Sequence, residues 1–301
     1  MVQERPIFSI IVPTYSRPGP LRACLRSLVS LNYPREHFEV IIVDDGGEAP
    51  LETLIASFSN RLKVSLLRQQ HSGPATARNT GAARAEGKFL AFIDDDCAPA
   101  PNWLWALAAR FAKSPDCAIG GRTLNAIPSN PYSTASQMLI DYLYAYYNLI
   151  PNKKAHFFAS NNLALPADRF RAIRGFDTTF PLAAGEDREF CDRWLQHGYR
   201  LVYAPEALVY HAHRLTLRTF FRQHFNYGRG AHHFHKARMR RSQRGICVEP
   251  VSFYLNLLRH PFSQVSKWQA LTLAVLLAVS QEAAATGFFW ESLSQAVTKT
   301  H

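Results

Sequence analysis

The chain has 301 residues, 47% of them hydrophobic, and a formal net charge of +11. That apolar content supports one large domain with an appendage, and the short polar tracts and scattered aromatics argue against a disordered chain. Five widely spaced cysteines (Cys24, Cys97, Cys117, Cys191 and Cys247) form no CxxC pair, which argues against a disulfide framework or a cysteine metal site and favours a reducing compartment.

The first residues, MVQERPIFSIIVP, carry Glu4, Pro6 and Pro13, which leave an apolar run too short for a signal peptide. The expected location is therefore the cytosol or the cytosolic side of a membrane. IFSIIVPTY reads as a strand, and LRACLRSLVSL has helical spacing at Leu21, Leu25 and Leu28. FEVIIVDDGG reads as a buried strand, 51–59 as a helix, and LKVSLLRQ as another strand. TARNTGAARAEG is Ala-rich and helical, and KFLAFIDDD is a further buried strand. Long apolar strands alternating with helices predict an α/β fold, a mostly parallel sheet with helices on both faces.

The middle is less regular. YSTASQMLIDYLYAYYNLI predicts a helix, FFASNNLALP a strand and turn, GEDREFCDRWLQHGY a helix, and YRLVYAPEALVYH two short strands. Nine basic residues and no acid lie between Glu206 and Glu249, so the positive excess is mostly local. Such a block can face nucleic acid, anionic lipid or a phosphorylated substrate. The apolar run at 270–290 follows, with Gln281 and Glu282 at its middle, so it reads as a buried helix, an interfacial helix pair or a marginal span. Basic and aromatic residues just before it suit an anionic membrane surface. His232, His233 and His235 suit no standard metal site, and a solvated basic helix is expected there.

In doubly wound sheets ligands sit beyond the carboxyl ends of the strands. Three predicted strands end in polar or acidic groups: Pro13-Thr14-Tyr15, Asp44-Asp45 and Asp94-Asp95-Asp96. Three adjacent carboxylates repel one another, and a divalent cation with oxygen ligands offsets them while also binding phosphate. The competing reading is a loop of helix-capping acids before Pro99-Ala-Pro-Asn-Trp.

SIIVPTYSRP, FEVIIVDDGG, GPATARNTGAARAEGKFLAFIDDDC and GEDREFCDRWLQHGYRLVYAPEALVYH, in that order and spacing, resemble the motif series of family 2 glycosyltransferases. The resemblance covers about residues 6–215 and implies the GT-A fold, with 216–301 as a basic, aromatic, helical C-terminal region. It implies an inverting, metal-dependent glycosyltransferase that uses a nucleotide-sugar donor, with UDP-sugar the first expectation. Pro13, Thr14 and Tyr15 would touch the nucleoside, Asp44 would pair with the base with Asp45 beside it, and Arg78 and Asn79 would lie next to the nucleotide. Asp94 or Asp95 would sit near the ribose. Asp96, with Asp94 and His211, would hold Mn or Mg. Asp187 would be the catalytic base, with Glu186 beside it. The acceptor would be a glycan or a lipid-linked molecule. The Q-x-x-R-W motif of processive members has no match, since Gln223-His-Phe-Asn-Tyr differs from it. A sugar nucleotidyltransferase would want a Gly-rich basic loop where PTYSRPGP stands. A nucleic-acid-binding protein would use the 214–244 block in salt-dependent fashion.

Overall fold

FSIIVPT and FEVIIVD are continuous apolar runs, and every residue in both is buried, as expected for central strands covered on two faces. The computed structural model describes residues 7–148, 155–180, 182–242, 246 and 248–298. In chain order the elements are β1 (Phe8–Thr14), α1 (Pro18–Val29), β2 (Phe38–Asp44), α2 (Glu52–Ala56), β3 (Val64–Arg68), α3 (Pro74–Arg84) and β4 (Phe89–Phe92). There follow β5 (Cys97–Pro99), α4 (Trp103–Lys113), β6 (Ala118–Asn125), α5 (Pro131–Asn148), β7 (Leu163–Pro166), α6 (Ala167–Ala172), α7 (Glu186–Gln196) and β8 (Leu201–His211). Three helices finish the chain: α8 (Leu217–Ser242), α9 (Val251–Arg259) and α10 (Lys267–Thr298).

One sheet orders the strands β3-β2-β1-β4-β7-β6-β8-β5. The pairs β1–β2, β1–β4, β2–β3 and β6–β8 are parallel, whereas β4–β7, β6–β7 and β5–β8 are antiparallel. The register aligns Thr14 with Asp44 and Asp44 with Arg68, so the first strand ends meet at one edge. Ile11 aligns with Phe92, which delivers Asp94–Asp96 to the same edge.

Side-chain alternation along the strands divides the core. Ile10, Val12, Val40 and Ile42 pack with Leu21, Leu25 and Trp103 on one face. Ile11, Ile41 and Val43 pack with Ala77, Phe92, Phe190 and Trp194 on the other. A third cluster joins Ala135, Met138 and Tyr142 of α5 to Phe220, Phe253, Leu257, Leu273 and Leu277. The C-terminal helices therefore share a core with α5, an element that lies well before residue 215 in the chain.

Three sequence expectations change. YRLVYAPEALVYH forms one strand, not two: the register slips from Gly121–Ala204 to Arg122–Leu208, so Pro205 and Glu206 bulge outward while both halves stay on β6. Strand β6 itself was hidden by its paired glycines, which carry no strand signal. Helix α8 is not a solvated basic helix. It buries Phe220, His224, Phe234 and His235, and Arg229 and His233 both reach Glu291 of α10, at 2.7 and 2.9 Å. Cys24, Cys97, Cys117 and Cys191 are buried free thiols, and Cys247 lies outside the described residues.

Candidate active site

The acids after β4 sort themselves by partner. Asp94 Oδ1 accepts from Arg78 at 2.7 Å. Asp95 accepts from the Thr14 hydroxyl at 2.7 Å and pairs with Arg17 at 3.0 Å. Asp96 pairs with Arg17 at 2.5 Å through one oxygen and lies 3.2 Å from His211 Nε2 through the other. Burial pushes Asp95 up to about 7, against the opposing pull of Arg17 and Thr14. Burial acts on Asp96 in the same direction, but the hydrogen bond and charge of His211, with Arg17, outweigh it and hold the carboxyl well below the usual range. His211 is correspondingly raised, because Asp96 outweighs its burial.

Residues at the β1 and β2 ends form a shelf beside these acids. Tyr15 is 48% exposed and stacks on His71, ring centroids 4.2 Å apart. Asp44 is buried and accepts from the Gly47 N–H at 2.9 Å. Asp45 organises the chain entering α3, accepting from Gln69 Nε2 and from the backbone N–H groups of Ser72 and Gly73 at 2.7, 2.9 and 2.8 Å. Pro13 is a buried strand residue. Asn79 braces a neighbouring turn. Its amide donates to Phe176 O at 2.8 Å and accepts from Phe176 N at 2.9 Å, so both groups clamp the turn at Gly175.

Arg78 links the two halves of the site. It is buried, and it reaches Glu186 Oε1 at 3.1 Å as well as Asp94. Glu186, Asp187 and Glu189 occupy the first turn of α7, where negative charge complements the helix dipole. Gly185 ahead of them has φ of +87°, a conformation that favours glycine. Burial pushes both Glu186 and Asp187 up, with the Arg78 guanidinium opposing. Glu186 Oε2 has no hydrogen-bond partner. The Asp187 carboxylate accepts from the Arg188 N–H at 2.7 Å. Tyr227 of α8 faces this corner, and its phenol is pushed up by burial and then by the charges of Asp187, Glu186 and Asp94.

Asp96, Cys97 and His211 each present a ligand atom within 4.8 Å of the others. The carboxylate and the imidazole suit a divalent cation such as Mn. Burial and the nearby acids push the Cys97 thiol well up, and its soft sulfur is a poor match for a hard ion. The donor set therefore fits a cation held by Asp96 and His211, while Asp94 is drawn off to Arg78. His213 stacks on His211 at 4.1 Å, and burial pushes it down to about 3, leaving a neutral ring whose two nitrogens lack partners.

Several polar side chains of the middle region are engaged within the fold. Asn162 accepts from Trp103 Nε1 at 2.9 Å and donates to Ala207 O at 2.9 Å. Tyr142 and Tyr144 are buried, and Tyr147 donates to Glu249 at 2.5 Å. Arg17 and His71 were missed. Each sits just past a predicted strand end, in a loop whose fold determines its reach.

The sequence profile described as "Glycosyl transferase family 2" matches residues 9–176. A pre-mycofactocin glycosyltransferase of Mycobacterium tuberculosis is 30% identical over 229 residues, 74% of this chain and 46% of that protein. The chain thus spans about half the length of that relative. Glycosyltransferase AglE of Haloferax volcanii is 25% identical over 237 residues, covering 76% of this chain and 74% of its own. Among solved structures, mannosyltransferase PcManGT from Pyrobaculum calidifontis, in complex with GDP-Man and Mn2+, superposes with a TM-score of 0.62 at 18% identity, over 99% of this chain and 81% of that one. Residues 1–349 of Staphylococcus aureus TarS, in complex with UDP-GlcNAc, superpose at 0.53 and 16% identity, over 98% and 92%. These likenesses carry the GT-A fold, and with the profile and the Mycobacterium relative on the page, the chain belongs to glycosyl transferase family 2.

Proposed function

We propose that the chain transfers a sugar, with inversion, from a nucleoside-diphosphate sugar to a hydroxyl of a glycan or lipid-linked acceptor. The observation that carries this reading is the Arg78 bridge, which joins Asp94 on the donor side to Glu186 beside Asp187. Asp187 takes the proton from the acceptor hydroxyl as its oxygen bonds to the anomeric carbon and the bond to the diphosphate breaks. The Tyr15–His71 shelf, with Asp44 beneath it, offers the nucleoside base an aromatic face and an acceptor group. Asp96 and His211 would hold a divalent cation, which would supply positive charge to the leaving diphosphate. Solved proteins of this fold carry GDP-Man with Mn2+ and UDP-GlcNAc, which supports a nucleotide-sugar donor.

Membrane contact is the second part of the proposal. Among the described residues, α10 is long and apolar enough to cross a bilayer. Its packing along α8, its exposed Glu282 and its pairing with Arg229 and His233 through Glu291 favour lying on a surface instead. Trp268, Leu271, Val275, Phe289 and Trp290 are exposed along it. Three of the nine basic residues are engaged in internal ion pairs, Arg229 with Glu291, Arg238 with Asp192 and Arg241 with Glu189 and Asp192, which leaves less of the block for nucleic acid.

The test is a panel of UDP- and GDP-sugars with and without Mn or Mg, read by thermal shift and by nucleotide release. A stabilising, metal-dependent donor is expected. Asp187→Asn should bind that donor normally and lose at least about a hundredfold in transfer rate. Near-normal turnover in this variant would remove Asp187 as the base.

A further inference from the structure

Among the described residues, Arg17 is the cation ion-paired with two of the three acids after β4. Its guanidinium bridges Asp95 at 3.0 Å and Asp96 at 2.5 Å, and its side chain is 45% exposed. The backbone is shaped to hold it there. Ser16, just before it, has φ of 52°, a left-handed conformation that a serine seldom takes. Gly47 makes room for that turn: a Cβ there would lie 2.9 Å from Ser16 N and 2.9 Å from Asp44 Oδ1. Strain of this kind persists when neighbouring structure holds it, and it collects at working sites.

The helix behind Arg17 makes the side chain more important. Anions often bind the free N–H groups of a helix N-terminus. Helix α1 opens Pro18-Gly19-Pro20, and two prolines take two of those donors away. The positive charge that this loop turns toward Asp95 and Asp96 is the Arg17 guanidinium. A cation on Asp96 and His211 and a guanidinium on the same carboxylate repel each other. Half exposure gives the Arg17 side chain room to turn away.

We propose that Arg17 is an exchangeable counter-charge for the donor site. Without donor it holds Asp95 and Asp96 together. When a divalent cation takes Asp96, Arg17 releases that carboxylate and turns to the diphosphate, adding a second positive charge at the leaving group. This rests on the donor-site reading above, and the readouts below are binding measurements on the full chain.

Arg17→Met removes the competitor and the diphosphate contact together. Mn2+ titrated into the protein without nucleotide, followed by the electron paramagnetic resonance of free Mn2+, should bind about fivefold tighter than in the parent. In saturating Mn2+, the nucleoside diphosphate stabilising the parent most should bind about fivefold weaker, by calorimetry. Arg17→Lys keeps the charge but loses the planar fork of the guanidinium, and should fall between on both axes; it carries the comparison if Arg17→Met does not fold. Unchanged or weaker Mn2+ binding in both variants overturns the exchange. Tighter Mn2+ with unchanged diphosphate affinity also overturns it, since Arg17 would then only block the cation. A parent that binds Mn2+ but no nucleoside diphosphate defeats the donor-site reading itself, and the Mn2+ comparison still reports on the competition at Asp96.

Discussion

At the scale of single residues, Arg78 opposes the burial that raises Asp187, the proposed base. It is buried between Asp94 and Glu186, where those carboxylates outweigh its burial and keep it charged. Glu186 and Asp187 are both raised by burial, and Arg78 pulls both down. Asp187 accepts a proton only when ionised. Transfer is thus full above its folded pKa and is lost as pH falls through it. The acidic limb of kcat/KM should lie above the ordinary carboxylate range of about 4. Arg78→Met removes the opposing charge and should move that limb to still higher pH. It should also cost about 3 kcal/mol in urea unfolding, because Glu186 loses its partner in a buried site. A limb that stays near 4 in both proteins would refute the assignment of Asp187.

At the scale of elements, α8 is pressed between the Ala184–Gly185 turn and α10. A Cβ on Gly230 would lie 2.2 Å from Ala184 O, directly before Gly185 and Glu186. A Cβ on Gly228 would lie 1.8 Å from Ala284 O, and one on Gly287 1.9 Å from Phe225 O. The helices therefore meet backbone to backbone, as small residues allow. Gly230→Ala should push α8 from the turn that carries Asp187. The expected result is a fall in kcat with donor affinity unchanged, and a loss of about 1–3 kcal/mol in denaturant unfolding. A fall in donor affinity with kcat intact would place the contact on the donor side instead.

At the scale of the whole molecule, the C-terminal helices are not a detachable tail. Deleting them would uncover Ala135, Met138 and Tyr142 of α5, so truncation would report on folding as much as on location. Surface substitutions separate the two. Trp268 is 84% exposed, and Leu271 is exposed one turn further on. Lys267 and Arg259 are exposed nearby and can face anionic headgroups. Trp268→Ser with Leu271→Ser should lower flotation with phosphatidylserine vesicles while leaving the melting temperature within a few degrees. Equal flotation of parent and variant, or no flotation of the parent, would defeat the surface-bound reading.

Local pattern alone was enough for the first half of the fold. Runs such as FEVIIVD are buried on both faces, and such runs must be central strands wherever they lie in the chain. It was also enough for the acids at the strand ends, because a strand's carboxyl end is a position along the chain. What each acid does was decided in three dimensions. Asp94, Asp95 and Asp96 are adjacent and chemically alike, yet Arg78, Thr14 and Arg17, and His211 divide them, and these partners come from distant segments. Asn79 has the right neighbours in sequence but clamps Phe176, because the Gly175 turn folds against α3. The C-terminal helix shows the same limit. Its composition fits a span or a core helix equally, and only the glycine contacts with α8 and the pairing of Glu291 with Arg229 say what it rests on. Hydrophobic periodicity is local, whereas charge pairing and backbone contact depend on which segments the fold brings together.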